Sequence, residues 1–264
     1  MARTAWLAAW LAAAALVPAA VRAQAPQDSK GLAAVTGGDP VTLLLAMEKV
    51  YASCTSYRDT GTVTSLILTD GGRAGSERPF ATAFVRPGRF RFEFTDTGLG
   101  GDKARYIVWA DGTEVRSWWD RQPGVRHPGS LDEALSPAAE ISGGVSVRVP
   151  ALLLPGSLGR GPLLVAPQRL ADGEDRGVAC VRIEGKGRKT PYLLPAGPNR
   201  SVQVQDETVT LWLDKATHLL RKVVERRTME TYRSETTTLY SPEINVAVPA
   251  ADLAFGAPVN PAEK

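Results

Sequence analysis

The chain has 264 residues, 31 Lys and Arg against 28 Asp and Glu, two His and two Cys. Two of the basic residues, Arg3 and Arg22, fall in the first 23 positions, so the remainder is close to neutral. A nucleic-acid binder needs a clustered basic excess, and the nearest thing here is the short run Lys186-Gly187-Arg188-Lys189, which reads as a solvated loop.

Residues 1–23 have the order of a secretory signal peptide: Arg3, an apolar run from Ala5 to Ala15, then Pro18 and small residues at Val21 and Ala23 before Gln24. The run is shorter than the ~20 apolar residues a spanning helix needs. The sequence therefore predicts a periplasmic or secreted chain with no transmembrane segment after cleavage. Residues 24–38 are polar and small, a flexible lead-in.

A helix is expected from Asp39, at the N-cap, and Pro40, at the first helical position, to near Ser53. Val41, Leu44, Leu45, Glu48 and Tyr51 recur at helical spacing, flanked by Leu43, Met47 and Val50, which predicts a largely covered helix. Strand patterns follow at Gly61 to Thr69, Phe80 to Arg86 and Arg89 to Phe94. The third alternates without a break: Phe90, Phe92 and Phe94 on one face, Arg89, Arg91 and Glu93 on the other. Tyr106 to Ala110 and Glu114 to Trp119 are split by the turn Asp111-Gly112.

A middle segment, Ser130 to Ser142, reads as helical, with Ser130 as cap and Glu133 three residues on. Val145 to Leu158 is apolar and interrupted by Pro150 and Pro155, a short helix lying across the sheet. Strands resume at Val178 to Glu184, Thr208 to Asp214, Leu219 to Arg227 and Thr231 to Tyr240. The count is about nine strands joined by short turns, so the sheet is mainly antiparallel and the fold α+β. Residues 39–257 form one domain, and 258–264 a tail.

Chemistry is sparse. His127 sits in a Pro/Gly loop and His218 in a turn, and neither has metal-ligand spacing. No G-x-S-x-G elbow occurs. No catalytic residue, metal ligand or cofactor is expected, and the chain is read as a binding protein rather than an enzyme. Cys54 and Cys180 are expected to be bridged, because an exported chain folds where disulfides persist; two buried free thiols are the alternative.

The run Tyr51-x-x-Cys54-x-x-Tyr57-Arg58-Asp59-x-Gly61-x-Val63, then Phe80-x-Thr82-x-Phe84-x-Arg86-Pro87-x-Arg89-Phe90-Arg91-Phe92-Glu93, resembles the LolA-like superfamily of bacterial envelope proteins. So does Leu211-Trp212-Leu213-Asp214-x-x-Thr217-x-Leu219-Leu220-Arg221-Lys222. The resemblance covers most of residues 39 to 257 and looks closest to uncharacterised branches. It implies an unclosed half-barrel of antiparallel strands around capping helices, with a hydrophobic cavity for the acyl chains of lipids or lipoproteins. Strand alternation then nominates the lining: Phe90, Phe92 and Phe94 on the third strand, and Val209, Leu211 and Leu213 on the later hairpin with Trp212 opposite. The helix residues Leu44 and Met47 would close it. An envelope sensor or protein-interaction module without a small ligand is the alternative, using the sheet edge or the Val145 to Leu158 segment. A hydrolase of an envelope component is a third reading.

Overall fold

The computed structural model describes residues 38–97, 103–156, 158, 162–195 and 201–256. The segments read as signal peptide, lead-in and tail lie outside them, save Gly38.

The domain opens with α1 (Pro40–Ser53), and the expected cap is present: Thr42 N–H and its hydroxyl both donate to Asp39 Oδ2, at 3.0 and 3.1 Å. Six strands follow as a meander: β1 (Ser56–Thr69), β2 (Gly72–Val85), β3 (Arg89–Thr97), β4 (Lys103–Asp111), β5 (Val115–Trp119) and β6 (Gln122–Arg126). Then come α2 (Leu131–Leu135), a 3-10 turn (Ser136–Ala138) and α3 (Val145–Leu153). The chain returns through β7 (Val165–Asp175), β8 (Val178–Lys186), β9 (Tyr192–Pro195), β10 (Ser201–Asp214), β11 (Leu220–Met229), β12 (Arg233–Tyr240) and β13 (Glu243–Ile244), ending in a 3-10 turn (Ala250–Leu253).

All the strands join one 13-stranded sheet in the order β6-β5-β4-β3-β2-β1-β12-β11-β10-β8-β7, with β13 beside β1 and β9 beside β10. The pairings are antiparallel, and the sheet does not close on itself. Of the strands the sequence did not single out, β6 and β7 are the two edges, while β9 and β13 are short additions beside other strands. An edge strand meets a partner on one side only, so it does not need a clean apolar alternation; β7 carries Pro167, Gly173 and four charged residues.

One face of the sheet is covered by the helices. Register places Tyr57, Phe84 and Phe90 in one row across β1, β2 and β3, and Phe80, Phe94 and Tyr106 in another. On the far wing Ile183, Leu211 and Val223 form a similar row across β8, β10 and β11. All belong to a single core cluster with Leu43, Met47 and Tyr51 of α1 and Val149 and Leu153 of α3. Trp212 points the other way, between Arg182 and Lys222, with the two cations 4.6 and 4.7 Å from its ring centre.

The Asp of the Leu-Trp-Leu-Asp run has a clear task. Asp214 Oδ1 accepts from Ala216 and Thr217 N–H at 2.8 and 3.2 Å, and Oδ2 accepts from Arg221, which fastens the β10–β11 turn. The middle segment is less helical than expected. Ser130 Oγ accepts from Glu133 N–H at 3.1 Å, but the Glu133 carboxylate takes the N–H of Gly129, not that of Ser130. The helix stops after Leu135. Pro137 follows in a 3-10 turn, and Gly143 and Gly144 adopt φ of +60° and +78°. Gly143 also lies flat against the sheet, since a Cβ there would stand 2.8 Å from Val63.

Candidate functional site

α1 is not covered all round. Its buried face is Leu43, Leu44, Met47 and Tyr51, whereas Val41 is 48% and Leu45 58% exposed. The sequence pattern put those two in the covered stripe. They instead form the lip of a groove of about 720 Å³ between α1 and α3. Its walls include Val41, Leu44, Leu45 and Ala52 from α1, Ala151 and Leu152 from α3, and the apolar run Pro162, Leu163 and Leu164 that leads into β7, with Glu48 and Lys49 of α1 also on the lining.

Arg86 sets the spacing of the two helices. Its guanidinium donates to the carbonyls of Ala52 and Cys54 at the end of α1, at 2.5 and 2.7 Å, and to Leu153 at the end of α3, at 2.9 Å. A cation here satisfies orphan carbonyls of both helices and meets the negative ends of both dipoles.

A second pocket of about 500 Å³ adjoins the groove, with Ala151, Pro162 and Leu163 lining both. That pocket lies between the Gly143–Gly144 turn, the strands β10 and β11, and Gly187 and Arg188 just after β8, and it is charged. Arg148 of α3 is bonded to Glu225 and donates to the Tyr240 hydroxyl at 3.3 Å. Burial works against the Arg148 charge, but Glu225 and Tyr240 leave its pKa above the ordinary arginine value. Arg227 Nε donates to Glu207 Oε1 at 2.8 Å, and the same oxygen accepts from Tyr192. Glu207 Oε2 is buried with no donor among the described residues. Arg188 and Glu140 stand at the mouth.

The residues nominated from sequence divide between these places. Leu44 lines the groove and Val209 the charged pocket. Phe90, Phe92, Phe94, Leu211, Leu213 and Met47 lie in the core cluster. Alternation assigned the strand residues to the right face; it carries no information about whether a helix or a void covers that face. Arg148, Glu207, Glu225 and Arg227 were not singled out. A charged pair facing inward, such as Glu225 and Arg227 within β11, is the only signal the sequence offered.

Cys54 and Cys180 are not bridged. Both are free and buried, with the Cys54 thiol donating to Tyr51 O at 3.1 Å and the Cys180 thiol to Val178 O at 3.3 Å. The expectation rested on compartment and count, and a bridge also needs the two Cβ atoms to face each other. Burial pushes both thiols above their usual pKa, which makes them poor nucleophiles.

A polar cluster lies at the base of the core. The Tyr57 hydroxyl donates to Asp59 Oδ2 at 2.8 Å, and Ser241 N–H donates to Asp59 Oδ1 at 2.7 Å. Asp59 marks the point where β1 changes partner from β12 to β13. Burial pushes its pKa up to about 7, against the two hydrogen bonds and the nearby Arg176 and Arg221. His127 lines a pocket of about 380 Å³ with Ser117, Arg126 and Glu133. Its ring is exposed, its nearest carboxylate is Glu114 at 4.0 Å, and no hydrogen bond joins it to Ser117 among the described residues. The described residues contain no cluster of three metal-ligating side chains and no helix long and apolar enough to cross a membrane.

No family model and no curated protein matches the chain. Solved structures do. It is similar to LprF from Mycobacterium bovis at 10% identity and a TM-score of 0.40, over 79% of this chain and 93% of that one. It is similar to lipoprotein LppX from Mycobacterium tuberculosis at 11% identity and 0.37, over 80% and 99%. A LolA superfamily protein from Nitrosomonas europaea gives 13% identity and 0.33, over 81% and 97%. At these identities the likeness concerns the course of the chain, and no ligand is carried over from it.

Proposed function

We propose that this chain is an exported envelope protein that binds acyl chains, of a lipid or of an acylated lipoprotein, and performs no covalent chemistry on them. The observation that carries the reading is the groove between α1 and α3. Its walls are mostly apolar, with Glu48 and Lys49 the charged exceptions; it lies in the ~300–1,000 Å³ range of small-molecule sites and leaves Val41 and Leu45 in contact with water. Large apolar side chains held open beside a polar pocket suit an amphiphile, tail in the groove and head beyond it. Within this proposal Leu44 and Val209 touch the ligand directly. Met47, Phe90, Phe92, Phe94, Leu211 and Leu213 form the wall behind it. The signal segment supports delivery to the periplasm or beyond.

A second reading treats the exposed Val41 and Leu45 as half of a protein interface, with an apolar segment of an envelope partner as the other half. For the hydrolase reading, His127 has Glu114 at 4.0 Å and, among the described residues, no hydrogen bond to a nucleophile.

The test is to extract the purified protein with solvent, identify released acyl chains by mass spectrometry, and titrate the stripped protein with N-phenyl-1-naphthylamine, an uncharged fluorescent probe of apolar sites. Binding is expected in the micromolar range or tighter, and Ala151→Trp, which fills the junction of groove and pocket, should weaken it at least about tenfold. A protein that releases no acyl chain and binds no probe would sink the proposal. Equal binding by a folded Ala151→Trp variant would move the site elsewhere.

A further inference from the structure

We propose that the charged pocket beside the groove reads the polar head of the bound amphiphile and favours a zwitterion, one carrying both an ammonium and a phosphate, over a net anion. The inference rests on the acyl-binding reading of the groove and adds a head-group preference to it.

The pocket is lined by three arginines, Arg148, Arg188 and Arg227, and three glutamates, Glu140, Glu207 and Glu225. Their formal charges cancel, so a net anion gains nothing from the pocket as a whole. What differs is how tightly each pair is closed. On the floor, Arg148 is bonded to Glu225 and Arg227 to Glu207, and these side chains are mostly buried. A ligand that broke those pairs would strand a buried charge. At the mouth, Arg188 and Glu140 are 48% and 50% exposed, and they face each other at 3.7 Å. Arg227 reaches Glu140 at 3.8 Å. Both separations are too long for hydrogen bonds.

That rim pair can be exchanged. Arg188 does not depend on Glu140 for its position, because its guanidinium stacks on the Tyr192 ring at 4.0 Å. A phosphate can therefore take the Arg188 fork. Glu140 is then left to an ammonium, and one long ion pair is replaced by two short ones. A phosphate without an ammonium would draw Arg188 away from Glu140 and leave it only Arg227, at 3.8 Å and already bonded to Glu207. The acidic side of the pocket is strengthened by Glu207, whose Oε2 has no donor among the described residues and lies beside Gly187, where a Cβ would stand 2.9 Å away. The head thus has an orientation, with phosphate toward Arg188 and ammonium toward Glu140. Its tail leaves past Ala151, Pro162 and Leu163, which the two spaces share.

The experiment is displacement of N-phenyl-1-naphthylamine by single-chain lipids of one acyl length, below their micelle concentrations. Lysophosphatidylethanolamine should displace the probe at a concentration about three- to fivefold lower than lysophosphatidylglycerol, the range open to a half-exposed charge pair. Glu140→Gln, which leaves the pocket with net positive charge, should reverse that order, each displacement being scaled to the variant's own probe affinity. Equal displacement by both lipids in the wild type, or an order that Glu140→Gln does not change, would overturn the head-group preference while leaving the acyl groove standing. A protein that binds no probe at all would overturn both.

Discussion

The two wings of the helix-covered face solve the same burial problem differently. On β2 and β3 the face is Phe80, Phe84, Phe90, Phe92 and Phe94, all buried, with Phe80 against Tyr240 and Phe94 against Phe92 and Tyr106. On β10 and β11 the face starts apolar, with Leu213, Leu211, Val209 and Val223, and then turns charged at Glu207, Glu225 and Arg227. The aromatic wing needs only volume to be filled, and α2 packs on β4 and β5 beside it. The charged wing needs partners, and α3 supplies one in Arg148 while the mouth stays open. Alternation is the same on both wings; the opening forms where the side chains keep water or a polar ligand within reach.

The sharpest way to break this comparison is to put a charge on the aromatic wing. Phe92 is 0% exposed, with the Phe94 ring 6.0 Å away and no acid or base beside it in the register. Phe92→Glu should cost several kcal/mol, enough to unfold a domain of ordinary stability. Circular dichroism and thermal melting check it. A folded Phe92→Glu protein with wild-type Tm would mean the space around Phe92 is not filled, and the aromatic wing would then be the ligand cavity.

On the charged wing the prediction is a matter of pairing. Arg148→Met leaves Glu225 buried with only Arg227 nearby and should cost about 3 kcal/mol. Adding Glu225→Gln should recover most of that loss, because the double variant strands no charge. Denaturant unfolding of the two single variants and the double variant gives the coupling. A double variant no more stable than Arg148→Met would mean that Arg148 acts by packing its stem and not by its charge.

What the sequence made legible follows the same division. The Phe90-Phe92-Phe94 face, the Asp39 cap and the Ser130 cap are local patterns, set by residues within a few positions of each other, and each is present. The antiparallel pairing was also within reach, since short turns force antiparallel neighbours; that the sheet stays open was only what the family resemblance implied. The edge strands β6 and β7 were not within reach, because a strand with one neighbour obeys no strict pattern. Neither was the groove. Val41 and Leu45 carry the same apolar signal as Leu44, and only the position of α3, fixed by Arg86 across 67 residues, decides which of them is covered. The cysteines failed for a related reason: two thiols and an oxidising compartment do not state a distance.

The smallest effect per step belongs to the boundary between the wings, at Asp59. Folding moves its carboxyl from an ordinary aspartate value to about 7, chiefly through burial. A raised folded-state pKa in an acid means that the folded state holds the proton where the unfolded state has released it. The unfolded chain loses this proton near pH 4, the folded chain near pH 7. Asp59 therefore contributes most below about pH 4, and its contribution declines as pH rises between the two values, by at most about 1.4 kcal/mol per unit. Global stability is a poor readout alone, because Asp172 and Asp214 have lowered pKa values and act in the opposite sense at acid pH. The difference between wild type and Asp59→Asn removes those terms. The amide cannot titrate, so wild type should lose stability relative to Asp59→Asn steadily from pH 4 to 7 and level off above. A difference flat across that window would mean that the Tyr57 and Ser241 hydrogen bonds, with Arg176 and Arg221, hold Asp59 ionised, and that the strand change at this point is fixed by a charge instead of a proton.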